Sequence, residues 1–241
     1  LDVVIHLAGA SIADRRWSEE YKAEILLSRV ESTKLISNTL ANLKYPPKLF
    51  ICASAIGWYG HGEAHQIFIE SDPAAGDFLG DVCYQWEMAT QTAQERGIRV
   101  VNLRTGTVLS KKGGAIKKMS VPFTLGLGGK LGSGKQMFSW IALDEIPLII
   151  DFIIQNEKIS GPVNLTAPNP VTNATFTKIF GKVIQRPTVF PVPSFGARLL
   201  FGEMADSLFL NGAKVIPKKL LDFGYSFKYE DLETALKSSL K

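Results

Sequence analysis

The chain has 241 residues, 46% hydrophobic and 21% charged, enough for one large core or a core with a lobe. No apolar run reaches the roughly 18 to 20 residues that span a bilayer, and the longest, Ile146 to Ile154, is broken by Pro147 and Asp151, so no membrane partner is expected. The net charge of +4 comes from scattered basic residues with small knots at Lys111, Lys112, Lys117 and Lys118 and at Lys214, Lys218 and Lys219; without a binding motif these predict a solvated surface and no nucleic-acid partner, while only two cysteines, Cys52 and Cys83, predict a reducing, cytoplasmic setting.

Residues 2–9, Asp-Val-Val-Ile-His-Leu-Ala-Gly, form a short apolar run ending in small residues. This predicts a buried parallel strand that opens into a loop. Residues 19–43 read as a helix with Ser18 as its N-cap. Residues 48–53 read as a second buried strand. The next helix spans 77–96, with Val82, Trp86, Ala89 and Ala93 at helical spacing and Gly97 closing it. Residues 99–103 are a third strand. Alternating strands and helices joined by short loops predict a doubly wound parallel sheet of the α/β class, crossed over right-handedly.

Ligands of such sheets sit beyond the carboxyl ends of the strands. Here those ends are Leu7-Ala8-Gly9, Ala53-Ser54-Ala55 and Arg104-Thr105-Gly106. Small residues there leave room for a flat ligand. After Leu109 the chain turns glycine-rich at Gly113-Gly114 and over 126–134, and residues 110–137 are assigned to the substrate side. A helix over 143–155 and a strand over 162–166 return to the sheet. From Pro168 onward, short helices over 172–184, 194–210, 217–223 and 229–240 make a small, mostly helical lobe. The expected domains are therefore 1–167 and 168–241.

Two other patterns carry less. Gly129-Lys-Leu-Gly-Ser-Gly134-Lys135 nearly spells a nucleotide triphosphate loop, but Gln136 stands where Ser or Thr would hold magnesium, and no strand–loop–helix frame surrounds it. His61-Gly-Glu63-Ala-His65 invites a metal reading, yet its glycines argue for a loop and only three histidines exist, so no metal is expected.

Asp2 to Gly9, Arg29-Val-Glu-Ser-Thr33, Ser54-Ala-Ile-Gly-Trp-Tyr59-Gly60, Leu103-Arg104-Thr-Gly-Thr-Val108 and Phe138-Ser-Trp-Ile-Ala-Leu-Asp-Glu145 together resemble the extended short-chain dehydrogenase/reductases. The resemblance is stronger to an epimerase-like subfamily, through Ala10-Ser-Ile-Ala-Asp-Arg-Arg-Trp17, residues 126–136, Phe190-Pro-Val-Pro193, Gly202-Glu-Met-Ala-Asp206 and residues 215–221. It covers essentially the whole chain, and the C-terminal portion is similar to a domain of unknown function in that subfamily. The resemblance implies a Rossmann-type sheet, NADP or NAD as cofactor, and a small-molecule substrate such as a nucleotide sugar. A homodimer is the partner state to expect. The alternative it leaves open is a dinucleotide-binding sensor or scaffold without catalysis.

The resemblance also implies roles. Leu7, Ala8, Gly9, Arg29, Ala53, Arg104, Thr105, Gly106 and Val108 fall where relatives touch the cofactor, with Arg29 in the place of an Asn. Ser54 matches a catalytic Ser/Thr. The superfamily's Tyr-x-x-x-Lys falls on Cys83 and Glu87, so a thiol and a carboxylate replace a phenol and an ammonium. A carboxylate opposes thiolate formation, so an unactivated thiol is expected. Tyr59 is the candidate replacement phenol. Tyr84, one residue from the expected Tyr, is turned about 100° away. The family's opening strand and glycine loop are not found ahead of the first strand, as if the chain began roughly 50 to 60 residues late, the length of two βα units. Strand 2–8 is accordingly expected at a sheet edge, and dinucleotide binding by these residues alone is expected to be poor.

Overall fold

The computed structural model describes residues 1–63 and 65–240. Strand β1 (Val3–His6) leads by a loop to helix α1 (Glu19–Ala41), whose first turn is capped by the Ser18 side chain accepting from the Tyr21 backbone N–H. Strand β2 (Leu49–Ala55) runs into a short 3₁₀ turn, Ile56–Tyr59, and the two-residue strand β3 (Ile67–Phe68) follows. Helices α2 (Phe78–Met88) and α3 (Gln91–Glu95) occupy the span expected as one helix. The break falls at Ala89 and Thr90, where the Thr90 hydroxyl donates back to the Glu87 carbonyl.

Strand β4 (Arg99–Thr105) continues past Gly106 as β5 (Thr107–Leu109). Helix α4 (Gly114–Thr124) was not expected, since Gly113-Gly114 reads as glycine-rich chain, yet buried Ile116 and Phe123 anchor it. Strands β6 (Met137–Phe138) and β7 (Trp140–Ala142), helix α5 (Glu145–Gln155) and strand β8 (Gly161–Leu165) complete the core. The remainder is β9 (Val171–Thr172), α6 (Asn173–Ile184), α7 (Ser194–Phe201), α8 (Glu203–Ala205), a π turn over Asp206–Leu210, β10 (Lys214–Val215), α9 (Lys218–Asp222) and α10 (Leu232–Ser239).

The main sheet has four parallel strands in the order β1-β2-β4-β8. This is the doubly wound α/β arrangement with a helical C-terminal part. Among the described residues β1 pairs only with β2 and forms one edge, leaving Ile5 43% exposed. One sheet face carries Leu49, Ile51, Val101, Leu103 and Val163 against Ile149 and Ile153 of α5. The other packs Phe50, Cys52 and Val100 against Leu40, Trp86 and Ala93. Burial of these aliphatic and aromatic groups is the main favourable term holding both layers.

The C-terminal part is knitted back into this frame. β10 pairs with β3, and the fully buried Glu145 carboxylate accepts from Tyr225 OH (2.6 Å) and from the backbone N–H groups of Lys228 and Tyr229. Among the described residues no helix is long and apolar enough to cross a membrane.

Candidate functional site

The polar residues at the strand ends stand in one row. The parallel register sets Ser54 opposite Arg104, and Arg104 opposite Asn164. Residues paired directly across a sheet project to the same face, and α2 delivers Glu87 onto that face. Ser54 Oγ donates to Glu87 Oε1 at 2.7 Å, and Arg104 Nε donates to the same oxygen at 2.8 Å. Arg104 Nη2 donates to Glu87 Oε2 at 3.0 Å, which makes the pair bidentate. Arg104 Nη1 reaches Tyr59 OH at 3.0 Å and the Glu70 carbonyl at 3.1 Å, and its guanidinium lies 3.7 Å from the Trp58 ring centroid.

From Tyr59 the network runs onward. Its hydroxyl donates to Asn164 Oδ1 at 2.6 Å, and Asn164 Nδ2 donates to the Ile216 carbonyl. The Asn164 and Lys219 backbone N–H groups both donate to Glu70 Oε1. Strand end, helix α2 and the C-terminal part thus share one hydrogen-bonded chain.

Burial sets the chemistry of these groups. Ser54 is 3% exposed, Tyr59 2%, Cys83 3% and Arg104 2%. Burial pushes the Tyr59 phenol up to about 12, although Arg104 works in the opposite direction. Burial, reinforced by the Glu87 charge, also pushes the Cys83 thiol up to about 12; the Ala55 carbonyl that Sγ faces at 3.6 Å, Arg29 and Arg104 offset only part of this. Burial opposes the charge of Arg104, but the Glu87 contacts outweigh it and raise its pKa. Cys83 and Glu87 do lie on the α2 face turned toward Ser54. Tyr84 is turned outward, 49% exposed.

The expected cofactor residues fall into two groups. Leu7, Ala8 and Gly9 form an exposed shelf beyond β1. Arg29 crosses beneath it, donating to the carbonyls of Ile25 and Ala10 and lying 5.0 Å from the Trp86 ring centroid. A Cβ on Gly9 would come within 3.3 Å of Arg29 Cγ and Cζ, so glycine lets the guanidinium pass. Ala53, Thr105, Gly106 and Val108 are half-buried along the neighbouring strand ends. Gly106 lets β4 pass close to β7 and β8: a Cβ there would meet the Ser139 carbonyl oxygen at 2.8 Å and Thr166 Cγ2 at 2.9 Å. Arg104 stands apart from both groups, since its side chain is enclosed by Glu87, Tyr59 and Trp58.

Sequence reasoning missed Asn164, Glu70 and Trp58 as members of the network. A polar Asn inside an otherwise apolar strand was the available signal, because buried polar groups need partners. The glycine-rich stretch 126–134 packs on another loop: the Phe190 N–H donates to the Gly128 carbonyl, and Leu131 bridges Val192. The His61–His65 segment includes position 64, which lies outside the described residues.

Comparison with known proteins places this geometry among relatives. A family model described as the NAD dependent epimerase/dehydratase family matches residues 1–165, and one described as a domain of unknown function (DUF1731) matches residues 192–239. An epimerase family protein of Mycobacterium bovis is 42% identical over 236 residues, covering 98% of this chain and 77% of that protein. One from Staphylococcus aureus is 39% identical over 241 residues, covering 100% and 80%. Among solved structures, a human epimerase family protein crystallised with NADPH superposes with a TM-score of 0.93 at 34% identity, covering 99% of this chain and 81% of that one. A nucleoside-diphosphate sugar epimerase of Corynebacterium glutamicum superposes with a TM-score of 0.79 at 35% identity, covering 99% and 46%.

Proposed function

This chain belongs to the NAD-dependent epimerase/dehydratase family, and we propose that it is an NAD(P)-dependent oxidoreductase or epimerase-like protein acting on a small molecule in a reducing, cytoplasmic compartment. The observation that carries the reading is the open shelf at Leu7-Ala8-Gly9, beside a row of strand ends kept small by Ala53 and Gly106. It fits the flat end of a nicotinamide dinucleotide, because exposed Ala8 and Gly9 put no bulky side chain in the way. A human relative sharing 34% of its residues was crystallised with NADPH. When bound, such a cofactor supplies hydride exchange with a substrate carbon. Leu7, Ala8, Gly9, Ala53, Thr105, Gly106 and Val108 would line it, and Arg29 would hold the shelf from below.

One observation favours a second reading, dinucleotide binding without turnover. Of the four residues expected to handle substrate oxygen and protons, Ser54, Tyr59 and Cys83 are buried and Glu87 is half-buried, and all are hydrogen-bonded to one another, to Arg104, to Asn164 or to backbone. The thiol and phenol are both pushed up to about 12. Mixing the protein with NADPH and a panel of ketones and nucleotide sugars separates the readings. NADPH oxidation supports the enzyme, saturable binding without oxidation supports the binder, and absence of both refutes the two together.

A further inference from the structure

We infer that Arg29 receives an oxyanion, a phosphoryl or carboxylate group of the ligand, at the Leu7–Gly9 shelf; the inference rests on the reading that this shelf is the ligand site. Arg29 projects from α1 and is half-buried against the loop that follows β1. Its contact with the shelf is direct. Nη2 donates to the Ala10 carbonyl at 2.9 Å, and a Cβ added at Gly9 would lie 3.3 Å from Cζ and 3.5 Å from Nε. Gly9 is exposed, so position 9 puts no side chain over the guanidinium. Nη1 is used on the Ile25 carbonyl at 2.8 Å, and the Trp86 ring centroid lies 5.0 Å from Cζ. A guanidinium carries five N–H groups. Among the described residues that of Nε has no acceptor.

It is the charge of this group that lacks a partner. Carbonyl oxygens accept its N–H groups without neutralising it, and a cation drawn out of water is costly unless an anion accompanies it. Its acidic neighbours on α1 are taken, Glu24 by Arg15 and Glu31 by Lys34, and Glu87 of α2 is held by Arg104. Burial lowers the pKa of Arg29, and the groups acting the other way are the Cys83 thiol and the Tyr21 phenol, not a carboxylate. Arg104 and Arg99, the other shielded arginines among the described residues, are compensated. Arg104 meets both oxygens of Glu87. Arg99 donates to the Ile153, Asn156 and Ile159 carbonyls around the C-terminal end of α5, the negative end of that helix. An oxyanion on the shelf would complete Arg29 in the same way, because the planar guanidinium matches phosphoryl and carboxylate oxygens.

Thermal unfolding of the full chain, titrated with inorganic phosphate against chloride at equal ionic strength, tests this without added dinucleotide. Phosphate should raise the melting temperature saturably and beyond chloride. Arg29→Met, which keeps an apolar stem against Trp86, should weaken that phosphate binding at least about tenfold, the loss expected for a charge-assisted hydrogen bond. Arg29→Lys should retain part of it. Gly9→Leu, which keeps the charge but covers the guanidinium, should weaken it as well. No phosphate response beyond chloride in the parent protein, or an equal response in Arg29→Met, would overturn the inference. Either the dinucleotide or an acidic second molecule could carry the oxyanion, and competition separates them. Phosphate that displaces NADPH assigns the group to the dinucleotide, and phosphate that binds alongside NADPH assigns it to the second molecule. NADPH binding without a phosphate response defeats this inference alone, and a phosphate response through Arg29 without NADPH binding defeats the functional reading alone.

Discussion

Glu87 and Arg104 form a bidentate ion pair at the strand ends. The carboxylate is held at both oxygens by one guanidinium, with Ser54 as a further donor. Removing either partner leaves a buried charge unpaired, which costs about 3–5 kcal/mol. Glu87→Gln and Arg104→Met should each lower the urea midpoint accordingly, and the double variant should lose less than the two single losses added. Strict additivity would show that the pair is not coupled. The thiols make a second residue-scale prediction. Both Cys52 and Cys83 are pushed up to about 12, chiefly by burial, from an ordinary value of roughly 8.5. Folding favours their neutral forms, so stability is constant below that ordinary value. It then falls with rising pH until the folded-state values are reached, because the unfolded chain releases protons first. Cys52→Ala/Cys83→Ala should flatten that alkaline decline in pH-dependent urea titrations; an unchanged slope would contradict the burial argument. The spacing of Cys83 and Glu87 was legible in the sequence. Arg104 as the partner of Glu87 was not, because the pairing depends on strand register and on the approach of α2, neither of which a linear spacing encodes.

Caps and close approaches decide the elements. Asp77 was readable as the start of α2, and its Oδ1 accepts from the Gly80 N–H at 2.8 Å. Gly80 itself was not singled out, although a Cβ there would lie 2.2 Å from the Ala75 carbonyl oxygen. Asp77→Ala should therefore cost about 0.5–2 kcal/mol, as loss of an N-cap does. Gly80→Ala should cost more, since backbone must move to admit the methyl. Equal urea midpoints for the two variants would sink this ordering. Helix α4 was missed for an instructive reason. Gly113-Gly114 reads as flexible chain, whereas Ile116, Met119 and Phe123 lie on a helical face packed into the second core. The single helix expected over 77–96 splits because the side chain of Thr90 competes for a backbone carbonyl, a local bond that apolar spacing does not report.

Across the whole molecule, the α/β alternation was the most legible feature, since short apolar runs and amphipathic helices encode the layers directly. The position of β1 at the sheet edge was also expected, and it leaves one side of the strand without ladder partners among the described residues. An apolar edge invites pairing with other chains. Ile5→Lys, at an exposed edge position, should reduce concentration-dependent association in sedimentation velocity; equal association would show that the edge is not the contact. The return of the C-terminal part was not legible, because the Glu145 clamp on residues 225–229 joins segments some eighty positions apart.

In the proposed function the Leu7–Gly9 shelf receives a nicotinamide dinucleotide. Calorimetric titration of NADPH into the protein and into Ala8→Trp, whose new side chain would fill the shelf from an exposed position, tests it most directly. Saturable binding by the parent protein is the expected result. Ala8→Trp should bind at least about tenfold more weakly, about 1.4 kcal/mol, with an unchanged melting temperature. Binding that Ala8→Trp leaves untouched, or no saturable binding by the parent protein, would contradict it.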